Sequence, residues 1–215
     1  MANRVSCSDC NLRAVCLPLA VSPDQIDELD QLLRRGRPLH RGEHLYRACD
    51  AFTSVYAVRS GAIKTYSISE GGEEQINGFY LPGEVVGMDG VSTARHSSSA
   101  KALETATVCE IPFDQMESLS LTIPSLSHHF FQLMSNEIKQ DRELHLLLSR
   151  KTAEERIAAM LLSLAARAKP RGLSDSHLRL PMPRNDLANY LGLAVETVSR
   201  ILTRLHNNGV LHVEG

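Results

Sequence analysis

Hydrophobic and polar positions follow three different rhythms along the 215 residues. Near the start, DQIDELDQLLRR (24–35) sets Ile26, Leu29 and Leu32/Leu33 three or four apart behind Ser22-Pro23, the pattern of a short capped amphipathic helix. From 36 to 90 the pattern breaks into short runs, SVYAV, AIKTYSI and QINGFYL, separated by RSG, SEGGEE and LPGE. Nine of the thirteen glycines fall here, so turns are closely spaced, and β-branched and aromatic residues fill the gaps between them. That texture predicts an antiparallel sandwich or roll, which AKALETATVCEI (100–111) continues. At Pro124 the period becomes helical and stays so to about Arg150, about seven turns and long for a globular helix. Helical stretches follow at about 152–168 and 184–191 and from 195, with KPRGLSDSH as an exposed turn after the first. The chain is therefore expected to be α+β.

Composition narrows the class. A hydrophobic fraction of 43% supports a packed core without disulfides. No apolar run approaches the ~20 residues of a membrane span, and no apolar signal core follows Met1, so a cytoplasmic chain without membrane contact is expected. The net charge of −2 is unevenly spread: residues 151–215 carry nine Lys+Arg against six Asp+Glu, and the remainder is acidic. The C-terminal part is thus the candidate for a polyanion.

RNDLANYLGLAVETVSRILTRLHNNGVL (184–211) gives that idea a shape. Leu187, Leu191, Val195, Val198, Leu202 and Leu205 supply buried faces, Gly192 marks a break, and Glu196, Ser199 and Arg200 share one polar face at i, i+3 and i+4. This reads as a helix-turn-helix, or as a plain helical hairpin with a solvated charged face; spacing alone leaves both open. On the long helix, Phe131, Met134, Ile138, Asp141, His145 and Leu148 recur at the spacing of a coiled-coil seam. The alternative is a helix packed on its own roll with Asp141 facing water.

CSDCNLRAVC (7–16) concentrates three of the five cysteines, as part of a disulfide framework, a zinc knuckle or an iron–sulfur site. An odd count in a reducing compartment argues against full pairing. Cys49, in RACDAF, reads as a small, partly buried thiol without a role. The nine histidines are scattered, with His128-His129 the only adjacent pair, and no catalytic constellation emerges, so an enzyme is not expected. An iron–sulfur electron carrier would have no use for a helix-turn-helix or a long seam.

DLANYLGLAVETVSRILTRL (186–205) resembles the recognition unit of the Crp/Fnr transcription regulators, and residues 45–87 resemble their β-roll sensor domain. Cys7, Cys10 and Cys16 together with Cys109 in TATVCEIPF are similar to the FNR branch, whose oxygen-responsive members hold a 4Fe–4S cluster. The resemblance implies a cluster-binding segment (1–23), an N-terminal antiparallel β-roll sensor domain like those that bind cyclic nucleotides (24–120), a dimerisation helix (121–150) and a C-terminal winged helix-turn-helix domain (151–215). Family members continue past the position of Gly215 through a wing strand and tail, so the wing reads as truncated. Four soft thiolates suit zinc or a cluster equally well; the resemblance implies the cluster, with Cys7, Cys10, Cys16 and Cys109 as ligands.

It also implies a homodimer on double-stranded DNA, at a palindrome like TTGAT-N4-ATCAA. Arg200 would contact guanine, Glu196 cytosine, Ser199 a thymine or phosphate, and Arg184 and Arg204 phosphates. SEGGEE (69–74) matches the loop with which such activators touch RNA polymerase. Oxygen would destroy the cluster, dissolve the dimer and release anaerobic promoters. The alternative ligand, a cyclic nucleotide, meets a broken phosphate cassette: Gly83-Glu84 is present, but RHSSSAKA has no arginine directly before a Ser-Ala pair, leaving Arg95 as a shifted substitute.

Overall fold

In a computed structural model, residues 6–214 are described. The chain divides into two compact units between Ile138 and Lys139, inside the long helix.

In the first unit, a turn at Pro23–Gln25 leads into helix α1, Ile26–Leu32. Ser22 and Gln25 form a capping box at this expected helix start. The helix stops short of the expected Arg35. Leu33 is extended, and Arg34–Arg35 form strand β1, pairing antiparallel with Glu110 and Cys109. A tertiary ladder outcompetes the local helical pattern here. Seven more strands follow: β2 (His44–Tyr46), β3 (Ser54–Ser60), β4 (Ile63–Ile68), β5 (Glu74–Tyr80), β6 (Val85–Val86), β7 (Ser99–Ala102) and β8 (Thr107–Pro112). They make two antiparallel sheets, ordered β1-β8-β3-β6 and β2-β7-β4-β5.

The alternation along β3 explains the layering. Val58 joins Tyr46, Ile63, Val86 and Ala100 in one core. Val55 and Ala57 face a second core with Leu17, Val21, Ile26 and Leu29, closed by Met116, Ile123 and Leu126. Met116 lies on α2 (Phe113–Thr122), a helix that the sequence pattern did not signal, because its ten residues bury only one side chain. Helix α3 runs Pro124–Arg150, as the period predicted.

The second unit contains α4 (Ala153–Ala168), α5 (Arg184–Leu191) and α6 (Val195–Asn207), around Ile157, Met160, Leu164, Leu187, Leu191, Val198, Ile201 and Leu202. Thr152 and Glu155 cap α4 reciprocally. Gly192 ends α5 at φ +60°, the left-handed cap that only a residue without Cβ adopts freely. Arg156 ties the unit together: its guanidinium donates to the Leu148 carbonyl (2.7 Å) and the Leu191 carbonyl (2.9 Å), and its Nε to Lys151 (3.0 Å). One cation thus satisfies carbonyls at the C-terminal ends of two helices. Arg156→Ala is expected to destabilise this unit by about 1–3 kcal/mol, measurable by thermal unfolding. No helix among the described residues is long and apolar enough to cross a membrane.

Candidate metal centre and nucleic-acid interface

The cysteine segment is wound by its own backbone. Arg13 N–H donates to Cys10, Cys16 N–H to Leu12 and Leu19 N–H to Cys16, so the segment turns repeatedly between thiols. Leu17 and Val21, directly after it, are buried in the second core and anchor it there. At the other end the Cys7 N–H donates to Asp30 Oδ1 (2.7 Å). The turn carrying Gly83 lies beneath: a Cβ there would come 2.7 Å from Val15 Cγ2, and its φ is +93°. Close approach of the segment to the roll therefore requires glycine at this position.

Cys109 comes from β8, opposite Ala57 on one neighbouring strand and Arg35 on the other. Cys7, Cys10, Cys16 and Cys109 line a single cavity with Leu17, Leu33, Arg35, Ala57 and Arg59. All four thiols are free. Burial pushes Cys7 up to about 12, reinforced by Asp30, and Cys16 likewise to about 12. Burial also raises Cys109, against the opposing pull of Arg35 and Arg59. These thiols hold their protons at neutral pH, and thiolate charge here needs a cation to compensate it. An all-sulfur donor set in an apolar cavity fits zinc or an iron–sulfur cluster, and the residues present fit either. Among the described residues, no three His, Cys, Asp or Glu side chains converge closely enough to hold a single metal ion.

Cys49 departs from expectation: it is exposed, at φ +71° in a turn. Its N–H donates to the His96 carbonyl, and its own carbonyl accepts from Arg95, which holds the turn outward.

The same contact occupies Arg95, the substitute considered for a nucleotide phosphate. The Ser97-Ser98 turn meets an anion from within the chain. Asp89 Oδ2 accepts from both serine N–H groups (2.9 Å each) and from the Ser98 (2.9 Å) and Ser97 (3.1 Å) hydroxyls, while Oδ1 faces His96 Nδ1 at 2.9 Å. Against the cost of burial, these bonds hold the Asp89 carboxyl below the usual carboxylate range. Its folded pKa is depressed, so its contribution is present above the unfolded value near 3.8 and lost as pH falls through the folded value. Asp89→Ala is expected to cost about 1–3 kcal/mol at neutral pH by orphaning these donors, with the deficit shrinking in acid; thermal melts from pH 7 to 3 test this.

On α6, Val198, Ile201, Leu202 and Leu205 face inward, while Glu196 and Arg200 are exposed and Ser199 is partly so. Ile201 is a buried position that the sequence reading passed over. Arg184, in the first turn of α5, donates to Ser199 Oγ at 3.3 Å. Arg204 forms an ion pair with Glu154 of α4, so a phosphate would have to compete for it. Residues 69–73 of SEGGEE form the exposed β4–β5 turn, while Glu74 begins β5, half-buried and paired with Lys64.

Along α3 the residues facing the roll core are Leu126, Phe130 and Leu133, and Glu137 accepts from the Tyr80 hydroxyl at 2.7 Å. Phe131 and Ile138 lie on another side, 64% and 52% exposed. Asp141 and His145 are exposed too, with Met134 and Leu148 partly covered. Burial raises the Tyr190 phenol of α5, with Arg167 opposing and the nearby Asp141 adding.

Residues 36–122 match the cyclic nucleotide-binding domain family, and residues 155–215 match the Crp-like helix-turn-helix domain family. The chain is 53% identical over 209 residues to the transcriptional activator protein FnrA of Stutzerimonas stutzeri, covering 97% of this chain and 86% of that protein. It is 48% identical over 211 residues to the anaerobic regulatory protein of Pasteurella multocida, covering 98% and 77%. Among solved structures, FixK2 from Bradyrhizobium japonicum superposes with a TM-score of 0.77 at 31% identity, covering 85% of this chain and 89% of that one.

Proposed function

The chain belongs to the Crp/Fnr family of transcription regulators, and from that premise we propose that it is the oxygen-responsive kind, governed by an iron–sulfur cluster on Cys7, Cys10, Cys16 and Cys109. It is a DNA-binding regulator and not an enzyme. The observation that carries the proposal is the meeting of all four cysteines, three from a terminal segment and one from β8, at one cavity. Four thiols at one cavity suit zinc as well as a multi-iron group, and the likeness to FNR-type regulators chooses between them. Relatives named as anaerobic regulatory proteins support the same choice.

When bound, a 4Fe–4S cluster supplies an oxygen-labile crosslink among four thiolates. The chain's residues give that crosslink consequences. Cys7, Cys10 and Cys16 fasten the segment 7–16, which rests on Gly83 and on the core that includes Leu126 of α3. Holding the segment therefore bears on the surroundings of α3, whose seam of Phe131, Met134, Ile138, Asp141, His145 and Leu148 would pair two chains. In that dimer each α6 enters a major groove one helical turn from the other. Four regions divide this work: 1–23 for the cluster, 24–120 for the roll, 121–150 for pairing and 151–215 for DNA. The 69–74 loop, exposed over 69–73, would touch RNA polymerase, and the protein would act in the cytoplasm.

The test is gel retardation on a TTGAT-N4-ATCAA palindrome, with anaerobically purified protein before and after exposure to air. Retardation that persists unchanged after iron and sulfide are lost overturns the proposal. The same assay reads the bases. Arg200→Ala is expected to lose about 1–3 kcal/mol of discrimination at one guanine. Arg204→Ala instead weakens all sequences alike and lowers the salt slope by about one. An unchanged half-site preference in Arg200→Ala refutes that face assignment.

A further inference from the structure

Arg35 carries the only buried side-chain nitrogen or oxygen without a hydrogen-bond partner among the described residues, its Nε. A buried donor left unmade costs on the order of 1–3 kcal/mol, so such a group calls for an explanation. The side chain is 14% exposed and lines the same cavity as the four cysteines. Strand register puts it there: Arg35 on β1 stands directly opposite Cys109 on β8. One end of the guanidinium is anchored, because Nη2 bonds Asp30 Oδ1, the atom that also receives the Cys7 N–H. The same Nη2 lies 3.8 Å from Cys7 Sγ. A single fixed cation thus bears on sulfurs from both parts of the site, with one N–H to spare.

We infer that Arg35 is a positioning residue of the four-cysteine site, donating its unpartnered Nε–H to a sulfur of the bound cluster, cysteinyl or inorganic. The inference rests on the cluster reading above and deepens it. A guanidinium suits this place because it stays charged, is planar and presents several donors at once, so one edge can hold Asp30 while Nε faces sulfur. Hydrogen bonds to sulfur are among the devices by which proteins tune iron–sulfur groups, and loss of such outer partners costs about 10–100-fold in metal retention.

The experiment uses the full chain, reconstituted anaerobically as wild type, Arg35→Lys and Arg35→Met, with folding checked by circular dichroism. Iron and sulfide content of the wild type comes first; a wild type that binds neither overturns the cluster reading and this inference together. Resonance Raman spectra in H2O and D2O come next, because an N–H···S bond makes iron–sulfur stretching bands sensitive to deuterium. The expected result is a deuterium shift in the wild type that is reduced in both variants. Iron release to an anaerobic chelator should accelerate about tenfold or more in Arg35→Met and less in Arg35→Lys. A coloured wild type with no deuterium-sensitive band, or an Arg35→Met chain with unchanged bands and iron release, overturns the inference and leaves the cluster reading standing. Should Arg35→Met fail to load, recovery of loading in Arg35→Lys supports the donor role. Failure of both variants to load counts against it.

Discussion

Protein with serine in place of Cys7, Cys10, Cys16 or Cys109 is expected to leave anaerobic purification colourless, with iron and sulfide at background, whereas Cys49→Ser stays coloured and is bleached by air. The expectation follows from where the thiols lie. Four line one cavity, and the fifth is exposed in a turn of its own. Serine nearly matches cysteine in size but cannot supply the soft thiolate that iron–sulfur chemistry requires. Losing one of four ligands should exceed the roughly 10–100-fold that loss of an outer partner costs. Each variant should also fail to retard palindromic DNA under anaerobic conditions. Folding should survive, since serine keeps nearly the volume of each thiol and none of the four forms a disulfide. A colourless wild type carrying stoichiometric zinc would end the cluster reading, and a coloured Cys109→Ser would remove β8 from the site.

The second large effect is expected at Asp141, where substitution by alanine should let the cluster-free chain dimerise and bind DNA in air. In a parallel pair of α3 helices the two Asp141 carboxylates face each other. Like charges ~7 Å apart at an effective dielectric of ~20 repel by roughly 2 kcal/mol. That is about thirtyfold in a dimerisation constant, enough to separate a paired from an unpaired chain at one concentration. The geometry of the single chain suits this account: Phe131 and Ile138 are exposed while Leu126, Phe130 and Leu133 face the roll core, so the seam is not consumed by intramolecular packing. His145 stands one turn from Asp141 and is likewise exposed. Sedimentation velocity of cluster-free Asp141→Ala decides the matter; a purely monomeric variant dismisses the seam.

Repetition and punctuation made much of this protein legible before any coordinates. The long period from Pro124 to Arg150 returned as one helix with those bounds, because a 27-residue pattern leaves little room for a competing state. The break at Gly192 appeared as read, and the apolar faces of α5 and α6 nearly so, with Ile201 added and Val195 only half-buried, since a left-handed cap and a 3.6-residue repeat are local demands. The strands between closely spaced glycine turns were legible for the same reason. Three cysteines within ten residues marked a candidate soft-ligand site, and the resemblance implied Cys109 as its fourth member, which lines the same cavity. What local pattern could not contain were partners distant along the chain. Arg34–Arg35 read as the end of a helix and became a strand because β8, some seventy-five residues on, offered its backbone. That pairing brought Arg35 to the cysteines, and nothing in its immediate sequence marks an arginine with a free buried Nε–H. Arg156 reaching Leu191, thirty-five residues on, is a long-range bond of the same kind, while Asp89 meets Ser97 and Ser98 across a loop of eight or nine residues that no periodic pattern marks. Periodicity and turn chemistry are properties of neighbouring residues, so the sequence determined most of the elements, α2 and β1 excepted, and the thiol count. Which polar groups meet depends on desolvation and register between distant segments, and only the tertiary structure decided that.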